Sequence, residues 1–512
     1  MSTVIKIYAS SLTGLKAIPI TVEVDTAPGL YSFNIVGLGD KAVNEAKERV
    51  SLALKNSGTL PPNKQTRKVI VNLAPADTKK EGTHLDLAIA LGYLVSTEQV
   101  ATSNLEHSIF VGELALNGDL RPVSGVLPIT LEMKRHGFTT MYVAPDNAKE
   151  AAIVEGVTVY PVENLRALID HLEGRTVPAP QPRTTLVHTS KAGEKQNDFS
   201  HLKGQRTIKR VLEIAASGGH NVLLIGPPGT GKTMAARALT SILPPLTHEE
   251  ALEVTEIYSV SGLIKEGATF ITERQFRAPH HTASAAALVG GGTTPKPGEI
   301  TLAHRGVLFL DEFTEFQHNV MESLRQPLED GVVTISRSRG ALTFPARFIF
   351  IAAANPCPCG FLDDLEIPCT CTSGAIAKYK RKLSGPILDR IDLQVFVPRI
   401  SYEELRSTAP EEPSENVSSR VMKARALQYQ RLAPFSLHTN SEIPSQKVGE
   451  YITLDTSSET LLKRAVDKYH LSPRGYYRIL KVARTIADLE RSEHVTSTHI
   501  AEALRYRMET ID

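Results

Sequence analysis

Eight consecutive residues, Gly226-Pro227-Pro228-Gly229-Thr230-Gly231-Lys232-Thr233, combine a pliable backbone with one cation and one hydroxyl. Their spacing, G-x-x-x-x-G-K-[ST], is that of a phosphate-binding loop. Gly229 and Gly231 let backbone N–H groups turn toward phosphates. Lys232 supplies charge for the β- and γ-phosphates, and the Thr233 hydroxyl can ligate Mg²⁺. A Gly-rich turn with a chance match is the plainer reading, but an apolar strand before it (Val222 to Ile225) and a helix after it argue against that. Asp311 and Glu312 end a second apolar run, Val307 to Leu310. Carboxylates there suit holding Mg²⁺ through water (Asp311) and polarising an attacking water (Glu312), although alone they read as the acidic first turn of a helix. Asn355 ends a third such run, placed to sense a γ-phosphate or simply to turn the chain. Arg390 precedes a fourth strand and would either reach a neighbouring subunit's nucleotide or pair with Asp389. Arg474 lies in the first turn of a helix opened at Ser472. A cation there opposes the helix dipole and calls for an anionic partner, for which ATP is the expectation.

Every cysteine of the chain falls in NPCPCGFLDDLEIPCTCTSG, at Cys357, Cys359, Cys369 and Cys371. A disulfide knot, a redox switch, a metal clamp and plain reduced thiols all share this look. Four thiolates can close a tetrahedral Zn²⁺ site, though C-x-C is tighter than the usual C-x-x-C. In a reducing compartment two Cys pairs favour metal over disulfide, and the expected role is to staple an irregular loop between Asn355 and the segment carrying Arg390. The run AKYKRK that follows, 377–382, offers a basic face.

The elements that position these groups are readable from periodicity. KVIVNLA (68–74) and TTMYVA (139–144) read as strands, LDLAIALGYLV (85–95) and NLRALIDHL (164–172) as helices, so the N-terminal part is of α/β character. Residues 173–198 are rich in Pro, Thr and Lys and read as an extended linker. A second α/β region runs to about residue 400, and a helix-rich tail follows to 512. Hydrophobic residues at 41% and charged residues at 22% are ordinary for a globular chain, and a net charge of +1 leaves any polyanion affinity to local clusters. No secretory signal and no apolar run of membrane-spanning length is visible, so a cytosolic location without membrane contact is expected.

Together GQRTIKRVLEIAASGGHNVLLIGPPGTGKT and FRAPHHTASAAALVGGG make the chain resemble the AAA+ ATPases, specifically their magnesium-chelatase-like branch. Its N-terminal domain narrows the resemblance to the ComM/YifB type, over essentially the whole chain. The resemblance implies a central AAA+ P-loop α/β domain at 199–400, within which the four-cysteine knuckle read above falls at 357–371, a helical lid at 401–512, and a homohexameric ring. It assigns 226–233 as Walker A, Asp311 and Glu312 as Walker B, Asn355 as sensor 1, Arg390 as arginine finger and Arg474 as sensor 2, with Gln205 beside the nucleotide base. It implies ATP and Mg²⁺ as cofactors and DNA branch migration during natural transformation, with branched, three-stranded or single-stranded DNA and a recombinase or other recombination factor as partners. A chelatase-type motor that remodels a partner protein is the alternative. Two insertions could meet DNA: GGGTTPKPGEIT (290–301) with Lys296, and DGVVTISRSRGALTFPARF (330–348), which reads as a hairpin with Arg337 and Arg339 near its tip. Ordinary surface cations are the plainer account of these three.

Residues 1–172 resemble the α+β proteolytic domain of Lon-type proteases (the ribosomal S5 domain 2-like fold), with VGELALNGDLRPVSGVLPITLEMKRHGFTTMYVA as the matching stretch. His84 stands where such enzymes carry the nucleophilic Ser, and Leu127 where they carry the Lys. A Ser–Lys dyad needs a hydroxyl and a base, so peptidase chemistry is rejected.

Overall fold

The computed structural model describes residues 4–80, 82–101, 105–185, 197–264, 270–292, 295–337, 340–362, 364, 366–383, 387–406, 410–435 and 437–508. They fall into two compact units, Met1–His188 with His248–Thr272, and Thr189–Thr247 with Glu273–Asp512.

The first unit is built on a mixed sheet. Its strands are β1 (Ile5–Thr13), β2 (Lys16–Pro28), β3 (Ser32–Val36), β4 (Arg67–Ala74), β5 (Ser108–Phe110), β6 (Thr140–Val143) and β7 (Thr158–Pro161), in the order β3-β4-β2-β1-β5-β6-β7. β2 pairs antiparallel with β1 and β4, and the remaining neighbours run parallel. Helices α1 (Lys41–Asn56), α2 (Asp86–Ser96), α3 (Val126–Arg135), α4 (Pro145–Ala151) and α5 (Leu165–Leu172) complete it. α2 is apolar almost all round and correspondingly buried. Its single charge, Asp86, pairs with Arg49 at 2.8 Å, while burial pushes its carboxyl up to about 6.

The expected linker is not a free tether over its first part. Gln181 N donates to Val159 O at 2.8 Å and Thr184 N to Ala152 O at 3.0 Å, which supplies partners to the outer strand β7 and to α4's end. Residues 186–196 lie outside the described residues.

The second unit opens with α6 (Arg206–Gly218), β8 (Val222–Ile225) and α7 (Lys232–Ile242). The chain then makes an excursion within the first unit as α8 (His248–Ser261), whose Ser259 O accepts at 3.1 Å from the N–H of Gly125, the residue just before α3. The Ser259 hydroxyl donates to the buried carboxylate of Glu150, which also accepts from Leu127 N at 2.8 Å. An uninterrupted 199–400 segment was expected, and this departure follows from α8 burying its apolar side with α3. Back in the second unit come β9 (Phe276–Arg277), β10 (Val307–Leu310), α9 (Arg325–Asp330), the hairpin β11 (Val332–Arg337) and β12 (Gly340–Pro345), β13 (Ile349–Ala354), α10 (Ser373–Leu383) and β14 (Leu393–Phe396). A parallel sheet in the order β9-β10-β13-β8-β14 forms its centre. β8, β10 and β13 are almost wholly apolar, as strands covered on both faces are.

The C-terminal helices α11 (Ser414–Leu432), α12 (Thr456–Tyr469), α13 (Pro473–Leu489) and α14 (Ser497–Met508) share one apolar core with this sheet: Val222, Ile351 and Leu393 belong to the same cluster as Val421, Ile479 and Ile486. A buried polar pin adds direction. Asp392 accepts from Arg478 at 2.6 Å and from Asn221 N at 3.2 Å and lies 3.3 Å from His220 Nδ1, while His220 Nε2 meets Thr485 Oγ1 at 2.8 Å. Burial works against the Asp392 charge, but Arg478 and His220 hold its carboxyl well below the usual range. Removing one member of such a pair strands the others. Asp392→Ala is therefore expected to cost about 3–5 kcal/mol in urea unfolding of the full chain. A loss below ~1 kcal/mol would mean that water, not the protein, serves Arg478.

Candidate nucleotide site and four-cysteine centre

Strand β8 delivers the chain into the loop 226–231, and α7 starts at Lys232. Gly229 (φ 79°) and Gly231 (φ 85°) occupy the left-handed region that side chains disfavour. Lys232 is buried, and its three donors are all used: Nζ donates to Gly226 O at 2.7 Å, Pro227 O at 2.8 Å and Asn355 Oδ1 at 3.2 Å. Burial lowers its pKa to about 8, against the opposing pull of Asp311. Asn355 reaches the lysine because β13 lies beside β8 and ends level with it, Ala354 opposite Ile225.

The Thr233 hydroxyl donates to Asp311 Oδ2 at 2.6 Å, and Asp311 Oδ1 accepts from Glu312 N at 2.9 Å. Glu312 takes a left-handed conformation (φ 49°), and its Oε2 lies 3.0 Å from His281 Nδ1. Gln205 donates to Thr230 O at 2.6 Å, while its buried Oε1 has no hydrogen-bond partner among the described residues. The structure thus brings Gln205, Thr230, Lys232, Thr233, Asp311, Glu312 and Asn355 into one hydrogen-bonded neighbourhood. His281 was not singled out from sequence. The Pro-His-His step at 279–281 held the only signal, and spacing alone gave no link to Glu312.

Arg390 and Arg474 meet elsewhere in the unit. Both guanidiniums bind the carboxylate of Glu329, on α9. Burial opposes the charge of Glu329, but the two arginines hold its carboxyl below the ordinary range. Among the described residues, the anionic partner of Arg474 is therefore Glu329. Arg390 is almost buried, whereas Arg474 is half exposed. Glu329 is a second residue that sequence reasoning missed.

The hairpin expected at 330–348 is present, with Arg337 opposite Gly340 at the end of its ladder. Arg339 lies outside the described residues, as does the Arg337 side chain. Gly290–Gly291 pairs with Lys296–Pro297 in a second short hairpin, and Lys296 is exposed. The two hairpins are neighbours: a Cβ on Gly290 would stand 3.3 Å from Ile335 Cδ1 on β11.

The four cysteine sulfurs converge. Cys357 Sγ is 3.4 Å from Cys359 Sγ and 3.7 Å from Cys369 Sγ, and Cys359 Sγ is 3.5 Å from Cys369 Sγ. All four lie within 4.8 Å of one another. A disulfide needs about 2.05 Å, so all four are free thiols.

In the first unit, His84 Nε2 lies 3.0 Å from the Ser124 carbonyl oxygen and Leu127 is buried. Among the described helices none is long and apolar enough to cross a membrane.

Three family models match consecutive parts of the chain: "Subunit ChlI of Mg-chelatase" over 22–147, "Magnesium chelatase, subunit ChlI" over 198–405, and its C-terminal counterpart over 411–507. Competence protein ComM of Haemophilus influenzae is 41% identical over 98% of this chain and 97% of its own length. YifB of Escherichia coli, described as uncharacterized, is also 41% identical, over 98% of this chain and 96% of its own. The magnesium-chelatase 38 kDa subunit of Rhodobacter capsulatus is 29% identical over 31% of this chain and 50% of its own. With a parallel five-stranded sheet, a phosphate-loop geometry and these full-length relatives, the chain belongs to the magnesium-chelatase-like proteins of the ComM/YifB type.

The depressed Lys232 carries a testable consequence. Phosphate oxygens would restore its proton, so ATP binding at pH 8.5 should take up roughly three quarters of a proton per site, and almost none at pH 6.5. Calorimetry in two buffers of different ionisation enthalpy reads this directly. Lys232→Ala should abolish the uptake, and identical uptake at both pH values would contradict the assignment.

Proposed function

We propose that the chain is an ATPase that assembles into a homohexameric ring and uses ATP and Mg²⁺ to drive branch migration of DNA, in the recombination of DNA taken up during transformation. The observation that carries the ATPase reading is the convergence of Lys232, Asn355, Thr233 and the Asp311–Glu312 pair at the ends of adjacent parallel strands. Lys232 exchanges its two loop carbonyls for β- and γ-phosphate oxygens. Asn355 stays beside the γ-phosphate. Thr233 and Asp311 are the residues that would hold Mg²⁺, which supplies charge neutralisation between the phosphates. Glu312 polarises the attacking water once its contact with His281 opens. The buried acceptor Gln205 Oε1 suits the amino group of adenine. Arg390 and Arg474 act as finger and sensor when a phosphate replaces Glu329 as their anion. Cys357, Cys359, Cys369 and Cys371 hold a structural Zn²⁺.

Support for DNA as the track comes from the adjacency of the Lys296 and Arg337 hairpins, repeated around a ring, while the name of the Haemophilus influenzae relative, a competence protein, supports a role in competence. Exposed Lys378, Lys380 and Arg381 on α10 add basic surface. Remodelling of a partner protein is the competing reading, because the family models are those of a chelatase subunit.

The test is ATP-driven branch migration on labelled Holliday and three-stranded junctions. Wild type should move strands; Lys232→Ala and Glu312→Gln should not, with hydrolysis by Glu312→Gln reduced ~10²–10⁴-fold. Hydrolysis without strand movement would transfer the case to protein remodelling. DNA is also expected to stimulate hydrolysis, and Arg337→Ala with Arg339→Ala to remove that stimulation while leaving the DNA-free rate in place. An ATPase rate indifferent to DNA would remove the hairpins from the account.

A further inference from the structure

The four-cysteine centre is seated against the nucleotide site, and its sulfur geometry defines the ligand it takes. Sulfurs held about 2.3 Å from a tetrahedral zinc ion stand about 3.8 Å apart. The separations of 3.4, 3.5 and 3.7 Å are close to that edge. Sulfurs in near contact enclose one ion and leave no space for a cluster of several irons. Four thiolates select a soft or borderline divalent ion, of which zinc accepts a closed tetrahedron without redox chemistry.

Packing does not hold this loop. Among the described residues from 361 to 372 no apolar side chain is buried; the buried group is the carboxylate of Asp364, which pairs with Arg399 at 2.6 Å and leaves the cysteine end of the loop unanchored. Yet the loop touches the nucleotide site on two sides. Cys357 follows Asn355 by two residues, and Asn355 Oδ1 accepts from Lys232 at 3.2 Å. Gly360 N donates to Cys357 O at 3.0 Å, in a left-handed turn (φ 87°). A Cβ on Gly360 would lie 2.7 Å from Pro228 Cδ, so the backbone of the knuckle rests directly on the phosphate-binding loop. On the far side α10 begins two residues after Cys371. Its Tyr379 hydroxyl accepts from Thr314 Oγ1 at 2.6 Å, and Lys382 Nζ donates to Thr314 O at 3.0 Å. Thr314 is two residues beyond Glu312.

We propose that one tetrahedrally bound zinc ion makes this loop a buttress for the phosphate-binding loop, so that ATP affinity depends on occupancy of the four-cysteine centre. The proposal rests on the reading of 226–233 as an ATP site. With the ion in place, Gly360 backs Pro228 and the strand end keeps Asn355 on Lys232. When the ion leaves, the sulfurs are free to part, and both supports loosen together. Zinc acts here by position and takes no part in hydrolysis.

Two perturbations of the full-length chain separate cause from consequence. Metal content is measured by plasma mass spectrometry, and nucleotide affinity by equilibrium binding of a fluorescent ATP analogue. Wild type should carry about one zinc per chain. Stripping it with a chelator should weaken analogue binding about 10-fold, and added zinc should restore it. Gly360→Ala should keep its zinc and still bind the analogue more weakly, because its methyl group meets Pro228. Circular dichroism follows the stripped chain: if it stays folded and binds the analogue as wild type does, the proposal is overturned, and if it unfolds, the zinc-replete Gly360→Ala chain tests the contact with Pro228 through which occupancy acts. The proposal is overturned if wild type neither contains nor takes up zinc, or if Gly360→Ala binds the analogue as wild type does. Failure of the ATP reading looks different: wild type then binds no analogue, or Lys232→Ala binds it equally well.

Discussion

A buried ammonium group organises the second unit. Lys232 sits where water cannot serve it, so the protein has to supply acceptors, and it does so with two carbonyls of the phosphate loop and one side-chain oxygen from the next strand. That requirement fixes the order of the sheet around it. β13 has to flank β8 for Asn355 to arrive, and β10 has to flank β13 for Asp311 to face Thr233. The arrangement satisfies the cation while leaving it exchangeable, since each carbonyl can give way to a phosphate oxygen that binds a cation more strongly.

Two further cations of the unit, Arg390 and Arg474, are parked on an anion. They share Glu329, and Glu329 stands near the end of α9, just ahead of the turn at Gly331 into the hairpin β11–β12. One carboxylate therefore joins a residue at the foot of the central sheet, a residue of the C-terminal helices and the base of an insertion. The common apolar core of sheet and helices, with Asp392 pinned by Arg478, makes this a joint within one body.

Much of this arrangement is legible in the amino-acid sequence, for physical reasons. The loop 226–233, the carboxylates at 311 and 312 and Asn355 declare themselves because each ends a short apolar run, and strand ends in a parallel sheet are where such groups converge. α5 is evident from periodicity, α2 from the length of its apolar run, and the 330–348 hairpin from alternation. Glu329, His281 and Gly360 are not. Each matters through a contact made across a long stretch of chain, and although His281 and Gly360 lie in distinctive stretches, nothing in those stretches says which residue each will meet. The excursion of α8 into the first unit is hidden for the same reason: a helix's period tells which side is apolar, not which body will bury it. The docking of 181–184 escapes notice because proline-rich composition signals extended backbone without saying whether a strand edge will pair with it.

The most direct measurement is the structure of the full chain with Mg²⁺ and a slowly hydrolysed ATP analogue. The γ-phosphate is expected beside Lys232 and Asn355, with the lysine released from the Gly226 and Pro227 carbonyls and Thr233 and Asp311 facing the metal. A nucleotide bound elsewhere, or Lys232 still held by both carbonyls with the analogue in place, would contradict this arrangement.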